Sequence, residues 1–588
     1  MEKLLIKGEE NQMKKIIESI KTKRWIHYLI IILVGILVSI PLFWLQVTTC
    51  DDGKFHLLRL IGLDNAMEHG SFPFLVFPFF CKDWGYSMMT FYPPLVTYIP
   101  YVLSFITGMF NHGLKIFAAL TTIVSGIFMY NFINEVTKKK GIACISAILY
   151  MIVPYRFEDI YNRFAIGEFT SFIFIPIVFQ GLYNLLHGDK KKHFYIAIGA
   201  TGLLLTHTIS TLYTAVFCVL YILFNIKLFF NKDVIKKCTI NVIFILLMSA
   251  MFLIPMLEFK SQADYGILES SIMKTEASSA ATRTIAPWQF LKDKGEVDGV
   301  SFVVGIHFIV MVFLGILAYR KMDKKYKDFY IVSIILGVIG LIMCTNLFPW
   351  QIMPDFMCTL QYPWRLLGFA FFFFVPVCAI NVYYMINPIR KEWIRNLLYV
   401  LVIVILGIFT FFELTKYNED NTSQDYEYET NVVANPEIHY FSINRDNMPV
   451  KALSNQWGYL KERTDNVYII SGEAEISDEN KYALHMSFNI ENASKGTELE
   501  LPYLFYPGYT IKLTFEDKEI TLDTTESEYG FLKIIIPEDI GNGNIVVDYT
   551  ATTIDKVSYI ISGISIIAFI VYIIYFRKKC KKEESNEK

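Results

Sequence analysis

Two adjacent carboxylates, Asp51 and Asp52, follow an apolar run from Trp25 to Val47 and lead into Gly53-Lys54-Phe55-His56-Leu57-Leu58-Arg59. Charge at the mouth of a membrane span sits in a low dielectric, where it is costly unless paired. Asp52, His56 and Arg59 are four and three positions apart, so a helix over this stretch places an acid, an imidazole and a guanidinium on one face. Such a face can bind a phosphate and handle a proton. Two plainer readings compete: a polar stop that fixes the depth of the span, and the solvated face of an interfacial amphipathic helix. The apolar side of that helix would be Leu57, Leu58, Leu60, Ile61, Leu63 and Met67.

Three further groups have the same character. Arg156 and Arg163 stand among Glu158, Asp159 and Glu168 in a short apolar-flanked loop. They either clamp a phosphate by bidentate hydrogen bonds or pair with Glu158 and Asp159. His207, in Leu-Leu-Leu-Thr206-His207-Thr208, ends an apolar run and acts either in packing or as a cavity-facing functional group. Gln361-Tyr362-Pro363-Trp364-Arg365 combines a helix breaker, interfacial aromatics and a fixed cation. Snorkelling accounts for Arg365 alone; the preceding Gln361 and Pro363 favour a phosphate contact.

These residues need a membrane scaffold. The 588 residues are 54% hydrophobic and 16% aromatic, with mean hydropathy +0.39, which defines a polytopic α-helical membrane protein. Apolar segments fall at about 25–47, 92–110, 114–134, 141–154, 169–187, 194–208, 210–230, 238–257, 301–319, 328–347, 366–386, 395–414 and 557–576, thirteen in all. Lys and Arg cluster in the short loops, at both ends of the chain and at Lys138–Lys140, Lys190–Lys192 and Lys232–Lys237 among others. The positive-inside rule puts both termini in the cytoplasm. Thirteen simple crossings cannot satisfy both ends. Segment 92–110, with Pro93, Pro94 and Pro100, is the best candidate for an interfacial or re-entrant element. The regions then outside are 48–91, 155–168, 258–300, 347–365 and 415–556, and they hold every candidate named above except His207, at the outer end of its run.

The chain divides into a basic N-terminus (1–24), a transmembrane domain (25–414), an extracytoplasmic β-rich domain (415–556), a final span (557–576) and a basic tail (577–588). Alternating runs such as Val467-Tyr-Ile-Ile and Thr510-Ile-Lys-Leu-Thr-Phe predict a β-sandwich of about 130 residues in the fourth part. Its aromatic cluster, Tyr503, Phe505, Tyr506 and Tyr509, reads as strand core, membrane contact or a surface for stacking sugar rings.

Several functions are excluded. The net charge of -2 argues against nucleic acid. No Walker A loop, GxSxG or HExxH is present, and the spans carry almost no charge, which leaves ATP-driven or ion-coupled transport, serine hydrolysis and zinc proteolysis unsupported. Nine cysteines lack CxxC spacing; Cys50 with Cys81, or Cys344 with Cys358, are the pairs that could meet outside the membrane.

The acidic pair after the first span, His56-x-x-Arg59, Gly85-Tyr86 and Phe91-Tyr92-Pro93-Pro94-Leu95 resemble the bacterial membrane proteins labelled 6-pyruvoyl-tetrahydropterin-synthase-related. Gln361-Tyr-Pro-Trp-Arg365, Leu501-Pro-Tyr-Leu-Phe-Tyr-Pro-Gly-Tyr509 and the final span are similar to YfhO-like membrane proteins. Both groups look like members of the GT-C class of glycosyltransferases. The resemblance, over roughly 25–576, implies transfer of a sugar from a polyprenyl-phosphate carrier to an extracytoplasmic glycan or teichoic-acid-like acceptor. It implies that Asp51 or Asp52 acts as base or holds a divalent cation such as Mg2+ or Mn2+. Phosphate contacts by His56, Arg59, Arg156, Arg163, His207, Gln361 and Arg365 follow from residue chemistry instead. The alternatives are a lipid-carrier flippase gated by the acidic pair, which needs polar residues along a crossing path, and an envelope scaffold.

Overall fold

The computed structural model describes residues 24–291, 302–415, 422–434, 445–454 and 457–586. All of the basic N-terminus except Arg24 lies outside them. Seven helices among the described residues are long and apolar enough to cross a bilayer: Arg24–Phe43, Phe110–Thr137, Ile166–Leu186, Lys324–Cys344, Pro363–Ile386, Glu392–Phe412 and Thr553–Lys579. Two bent pairs, Lys140–Met151 with Pro154–Asn162 and Lys232–Met248 with Ala250–Gln262, raise the number to nine if each is one span. The first pair breaks where Pro154 forces Val153 into an extended conformation.

The remaining apolar segments form shorter helices. Segment 92–110 yields only Leu95–Ser104, whose ten residues span about 15 Å, half the hydrocarbon core. Segment 301–319 is divided between Ile306–Phe313 and Gly315–Ala318. Apolar content is continuous across such breaks, so thirteen segments correspond to fewer long helices.

Pro363–Ile386 is 94% buried and forms the centre of the bundle with Ile166–Leu186. Phe179 packs against Phe372 and Phe373 at ring separations of 5.0 and 5.3 Å. Glu392–Phe412 is only 11% buried and presents Ile403, Val404 and Phe411 outward. Apolar surface on this scale suits lipid rather than water.

Nine strands fill Tyr468–Tyr549: β1 (Tyr468–Ser471), β2 (Glu475–Tyr482), β3 (His485–Ala493), β4 (Glu498–Leu504), β5 (Tyr509–Phe515), β6 (Lys518–Leu522), β7 (Thr525–Glu526), β8 (Phe531–Ile535) and β9 (Ile540–Tyr549). They pair antiparallel in two sheets, ordered β1-β4-β8-β7 and β2-β3-β9-β5-β6. Met486, Phe488 and Ile490 of β3 alternate inward, with Ile511 and Leu513 of β5 and Leu499 and Leu501 of β4 in the same core. The sandwich is therefore narrower than 415–556. Thr422–Ala434 ahead of it is helical, with Gln424, Asp425, Tyr428 and Glu429 at helical spacing.

The aromatic cluster is not an open sugar platform. Tyr503, Phe505, Tyr506 and Tyr509 are all buried. The Tyr506 ring stacks on Tyr265 at 5.8 Å and lies 6.0 Å from Phe259, and its hydroxyl donates to the Asn447 carbonyl at 3.1 Å. Gly508 makes the adjoining turn at φ +110°, where a Cβ would stand 2.9 Å from Ala551 Cα. The cysteines also differ from the pairing considered above: Cys50, Cys344 and Cys358 are free thiols, and all four cysteines of the two pairs are buried.

Since Tyr506 joins sandwich and bundle, Tyr506→Ala is expected to cost about 3–5 kcal/mol, as for other large core truncations. Tyr506→Phe, which loses one hydrogen bond, should cost about 1 kcal/mol. Thermal denaturation in detergent checks the order; equal effects would place the hydroxyl above the ring in importance.

Candidate functional site

The acidic loop is built onto the second polar loop by its backbone. The Asp51 and Asp52 N–H groups donate to the carbonyls of Asn162 (3.3 Å) and Arg163 (2.8 Å). Asp52 then caps helix Gly53–His69, with its carbonyl accepting from the His56 N–H at 3.1 Å.

The acceptor loop has an unusual local course. Glu158–Asn162 is a π-turn closed by the Arg163 N–H on the Glu158 carbonyl at 3.0 Å, and helix Ile166–Leu186 begins three residues later. The wide turn directs Asp159 and Arg163 to the same point as Glu168, in the first turn of the next helix. Arg163 Nη1 donates to Asp159 Oδ1 at 2.5 Å and to Glu168 Oε2 at 2.9 Å. Tyr155 donates its hydroxyl to Glu168 Oε1. The Arg163 guanidinium lies 4.7 Å from the Trp364 ring centre, and Arg365 Nε lies 3.7 Å from Glu168 Oε2.

Arg365 is steadied from its own segment, with Nη1 donating to the Leu360 carbonyl (3.0 Å) and to Gln361 Oε1 (3.3 Å). Gln361 adopts φ +61°, and its Nε2 reaches the Met273 carbonyl at 3.1 Å. It buttresses Arg365. His207 caps helix Thr208–Phe224, with Nδ1 accepting from the Ser210 N–H at 3.3 Å. Gly167 makes room for it: a Cβ there would stand 2.9 Å from His207 Cδ2.

A second buried group adjoins. His56 and Arg59 are each 1% exposed. Arg59 lies 3.8 Å from the Tyr92 ring centre, donates Nη2 to Thr97 Oγ1, and directs Nη1 at His56 Nδ1, 3.4 Å away. Burial first, and then Arg59, hold the His56 pKa well below the usual imidazole range, so His56 is neutral. With Nδ1 accepting, its proton sits on Nε2, which has no hydrogen-bond partner among the described residues. Tyr92 links the two groups, being within electrostatic reach of Arg59, Asp52, Arg365 and Glu168.

Asp52 is the unusual member. It is partly buried, and its carboxylate does not cap the helix that it begins. Burial raises its pKa; Arg163 and Arg365 oppose that shift, and Asp51 and Glu168 add to it. The result is a carboxylate poised to take a proton. Asp51 beside it is exposed.

Of the residues expected from sequence, Asp52, His56, Arg59, Arg163, His207, Gln361 and Arg365 come together, with Asp51 at the edge. Arg156 departs from the expected phosphate contact. It is fully buried and donates to the Phe169 carbonyl (3.0 Å), Thr121 Oγ1 (3.1 Å) and Thr122 Oγ1 (3.2 Å), so both terminal nitrogens are engaged inside the bundle. Glu168 and Tyr92, noted in the sequence only as an acid of the second loop and as part of a motif, are participants that were given no role in the site. A carboxylate five residues after an arginine, in the first turn of a helix, was the available signal for Glu168.

No group of three His, Cys, Asp or Glu side chains among the described residues is arranged to hold a metal ion, and the charges facing Asp52 include two guanidiniums. Arginine supplies positive charge here.

No family model matches the chain. A relative from Lactococcus lactis subsp. cremoris (strain MG1363), described only as an uncharacterized protein, is 22% identical over 611 residues, covering 97% of this chain and 98% of its own length. The alignment runs through helical bundle and sandwich alike.

Glu168→Ala removes the counter-charge of Arg163 and Arg365, and a destabilisation of about 3–5 kcal/mol is expected, as for one broken half of a buried ion pair. Denaturation of the purified variant measures it. A neutral outcome would show that Asp159 alone suffices for Arg163.

Proposed function

We propose that this chain is a GT-C-type glycosyltransferase that moves a sugar from a polyprenyl-phosphate carrier to an extracytoplasmic cell-envelope acceptor. The observation that carries this reading is Asp52, whose N–H is bonded to the Arg163 carbonyl and whose carboxylate is within electrostatic reach of Arg163 and Arg365. Base and anion-binding groups thereby share one point. Helices Gly53–His69, Ile166–Leu186 and Thr208–Phe224, and the turn Pro363–Leu366, each contribute a cap or first-turn residue there. Their N-terminal dipoles add positive potential for a phosphate.

In this reading the carrier enters laterally with its prenyl chain between helices and its phosphate against Arg365, the more exposed guanidinium, with Arg163 behind it. An acceptor hydroxyl attacks the anomeric carbon. Its proton passes to Asp52, the bond from anomeric carbon to phosphate oxygen breaks, and the phosphate leaves with the electron pair. Positioning and preorganised positive charge supply most of the rate. His56 remains neutral, and Arg59 extends the cationic field. No step passes through a metal ion.

The charged groups of the site gather at the N-terminal ends of helices Gly53–His69 and Ile166–Leu186. A flippase needs them along a crossing path, so the arrangement supports an enzyme. Both termini are then cytoplasmic and the sandwich lies outside.

Sugar transfer from polyprenyl-phosphate hexoses in proteoliposomes is the test. Asp52→Asn should lose about 10²–10⁴-fold in rate, the usual contribution of a general base, while Asp51→Asn keeps most activity. The acid limb of kcat/KM should lie above the ordinary aspartate range near 3.9, because activity falls as pH drops through a raised pKa. Full activity of Asp52→Asn, or no transfer from any donor, would reject the enzyme reading and bring the flippase forward.

A further inference from the structure

The acidic loop is gripped from a second side, by a helix 378 positions away in the chain. Helix Thr422–Ala434 buries Asp425, whose carboxylate accepts from the Val47 N–H (2.8 Å), the Thr48 N–H (3.0 Å) and the Thr48 hydroxyl (2.5 Å). Lys115 Nζ lies 3.5 Å from the same carboxylate. Gln46 Nε2 donates to Gln424 Oε1 at 2.9 Å, and Lys54 Nζ lies 4.9 Å from the Tyr428 ring centre. Glu429 accepts from the Phe110 and Asn111 N–H groups at 2.8 and 3.0 Å, filling open donors at the start of helix Phe110–Thr137. One helix thus holds residues on both sides of Asp51-Asp52. Gly53 makes the loop stiff: a Cβ there would stand 1.8 Å from the Val47 carbonyl oxygen, so the Val47 turn and the start of helix Gly53–His69 are in backbone contact.

We propose that Asp425 is a positioning residue for Asp52, and that helix Thr422–Ala434 completes the site. This rests on the reading of Asp52 as the working carboxylate. Charge-assisted bonds to a buried carboxylate are strong and directional, and here they end on the turn that precedes the acidic pair. Removing them leaves the loop tied by the Asn162 and Arg163 carbonyls, by the Cys50 thiol on the Tyr161 carbonyl and by the single Gln46–Gln424 bond. Displacing a reacting group by about 1 Å costs about 100-fold. Arg163 and Arg365 stand on other elements, so the loss falls on kcat rather than on KM for the lipid-linked donor.

Cys50 gives a readout separate from activity. Its buried thiol donates to the Gln46 and Tyr161 carbonyls at 3.6 Å. Burial, then Asp425, pushes its pKa up to about 12, which keeps it unreactive. In full-length protein in proteoliposomes, Asp425→Ala should lower kcat by about 100-fold with little change in KM, and Asp425→Asn, which keeps one acceptor, by less. Site-resolved maleimide labelling should find Cys50 faster in both, with Cys344 inside the bundle no faster. Thr48→Val, which removes one bond and preserves packing, should shift both readouts the same way by less and serves if the Asp425 variants unfold. Unchanged kcat and Cys50 labelling, with Asp52→Asn inactive, would overturn the positioning role and leave the catalytic reading standing. Faster labelling with unchanged kcat would also overturn it. An active Asp52→Asn would remove the catalytic reading and the role of Asp425 with it.

Discussion

One guanidinium shared by two buried carboxylates organises this end of the molecule. Arg163 is bonded to Asp159 and to Glu168, and none of the three is more than 5% exposed. At that depth a charge left without its partner costs several kcal/mol, so the three groups must meet. Their meeting fixes the angle between the π-turn Glu158–Asn162 and helix Ile166–Leu186. The Arg163 carbonyl then accepts the Asp52 N–H, which sets the first loop from the same residue. Arg365 beside Glu168 brings in the central helix Pro363–Ile386. Three distant stretches of chain are placed by one ionic centre.

The same centre explains why Asp52 differs from its neighbours. Asp159 Oδ1 and both Glu168 oxygens are occupied by Arg163 and Tyr155, and these contacts serve the fold. Asp52 is held by its backbone, so its carboxylate is under no such obligation. It stands at the partly exposed margin, where protons can be exchanged. Its acidic neighbours are engaged in ionic contacts of the fold, while Asp52 is placed by its backbone.

The sequence made the ingredients legible but not their sorting. Asp52, His56 and Arg59 were readable as a set because helical spacing joins them, and the structure keeps His56 and Arg59 in contact. Their burial was not readable, because Thr97 and Tyr92, which receive Arg59, lie in another segment. Arg156 and Arg163 look equivalent in one loop; the π-turn between them sends one inward to Thr121 and Thr122 and the other to Glu168. Periodicity located the strands from Tyr468 onward. The helix at Thr422–Ala434 was masked by the acidic composition of its segment, and its contact with Val47 is a tertiary pairing that no local pattern encodes.

The β-sandwich is braced rather than tethered. Helix Gly53–His69, which begins at the acidic pair, runs directly into the stretch that meets the sandwich. There the Leu504 N–H donates to the Trp84 carbonyl at 3.0 Å, Trp84 meets Phe531 edge-on at 5.0 Å, and Lys82 Nζ donates to the Leu460 and Lys461 carbonyls at 2.9 and 2.8 Å. Gly85, at φ +80°, lets the backbone lie against Leu484, where a Cβ would stand 2.9 Å from Cδ2. On the far side Tyr506 is stacked on Tyr265. A module fixed by buried aromatic rings and backbone bonds does not sample orientations as one on a flexible linker does. Its surface is therefore set relative to the acidic loop by the same buried contacts that join it to the helices.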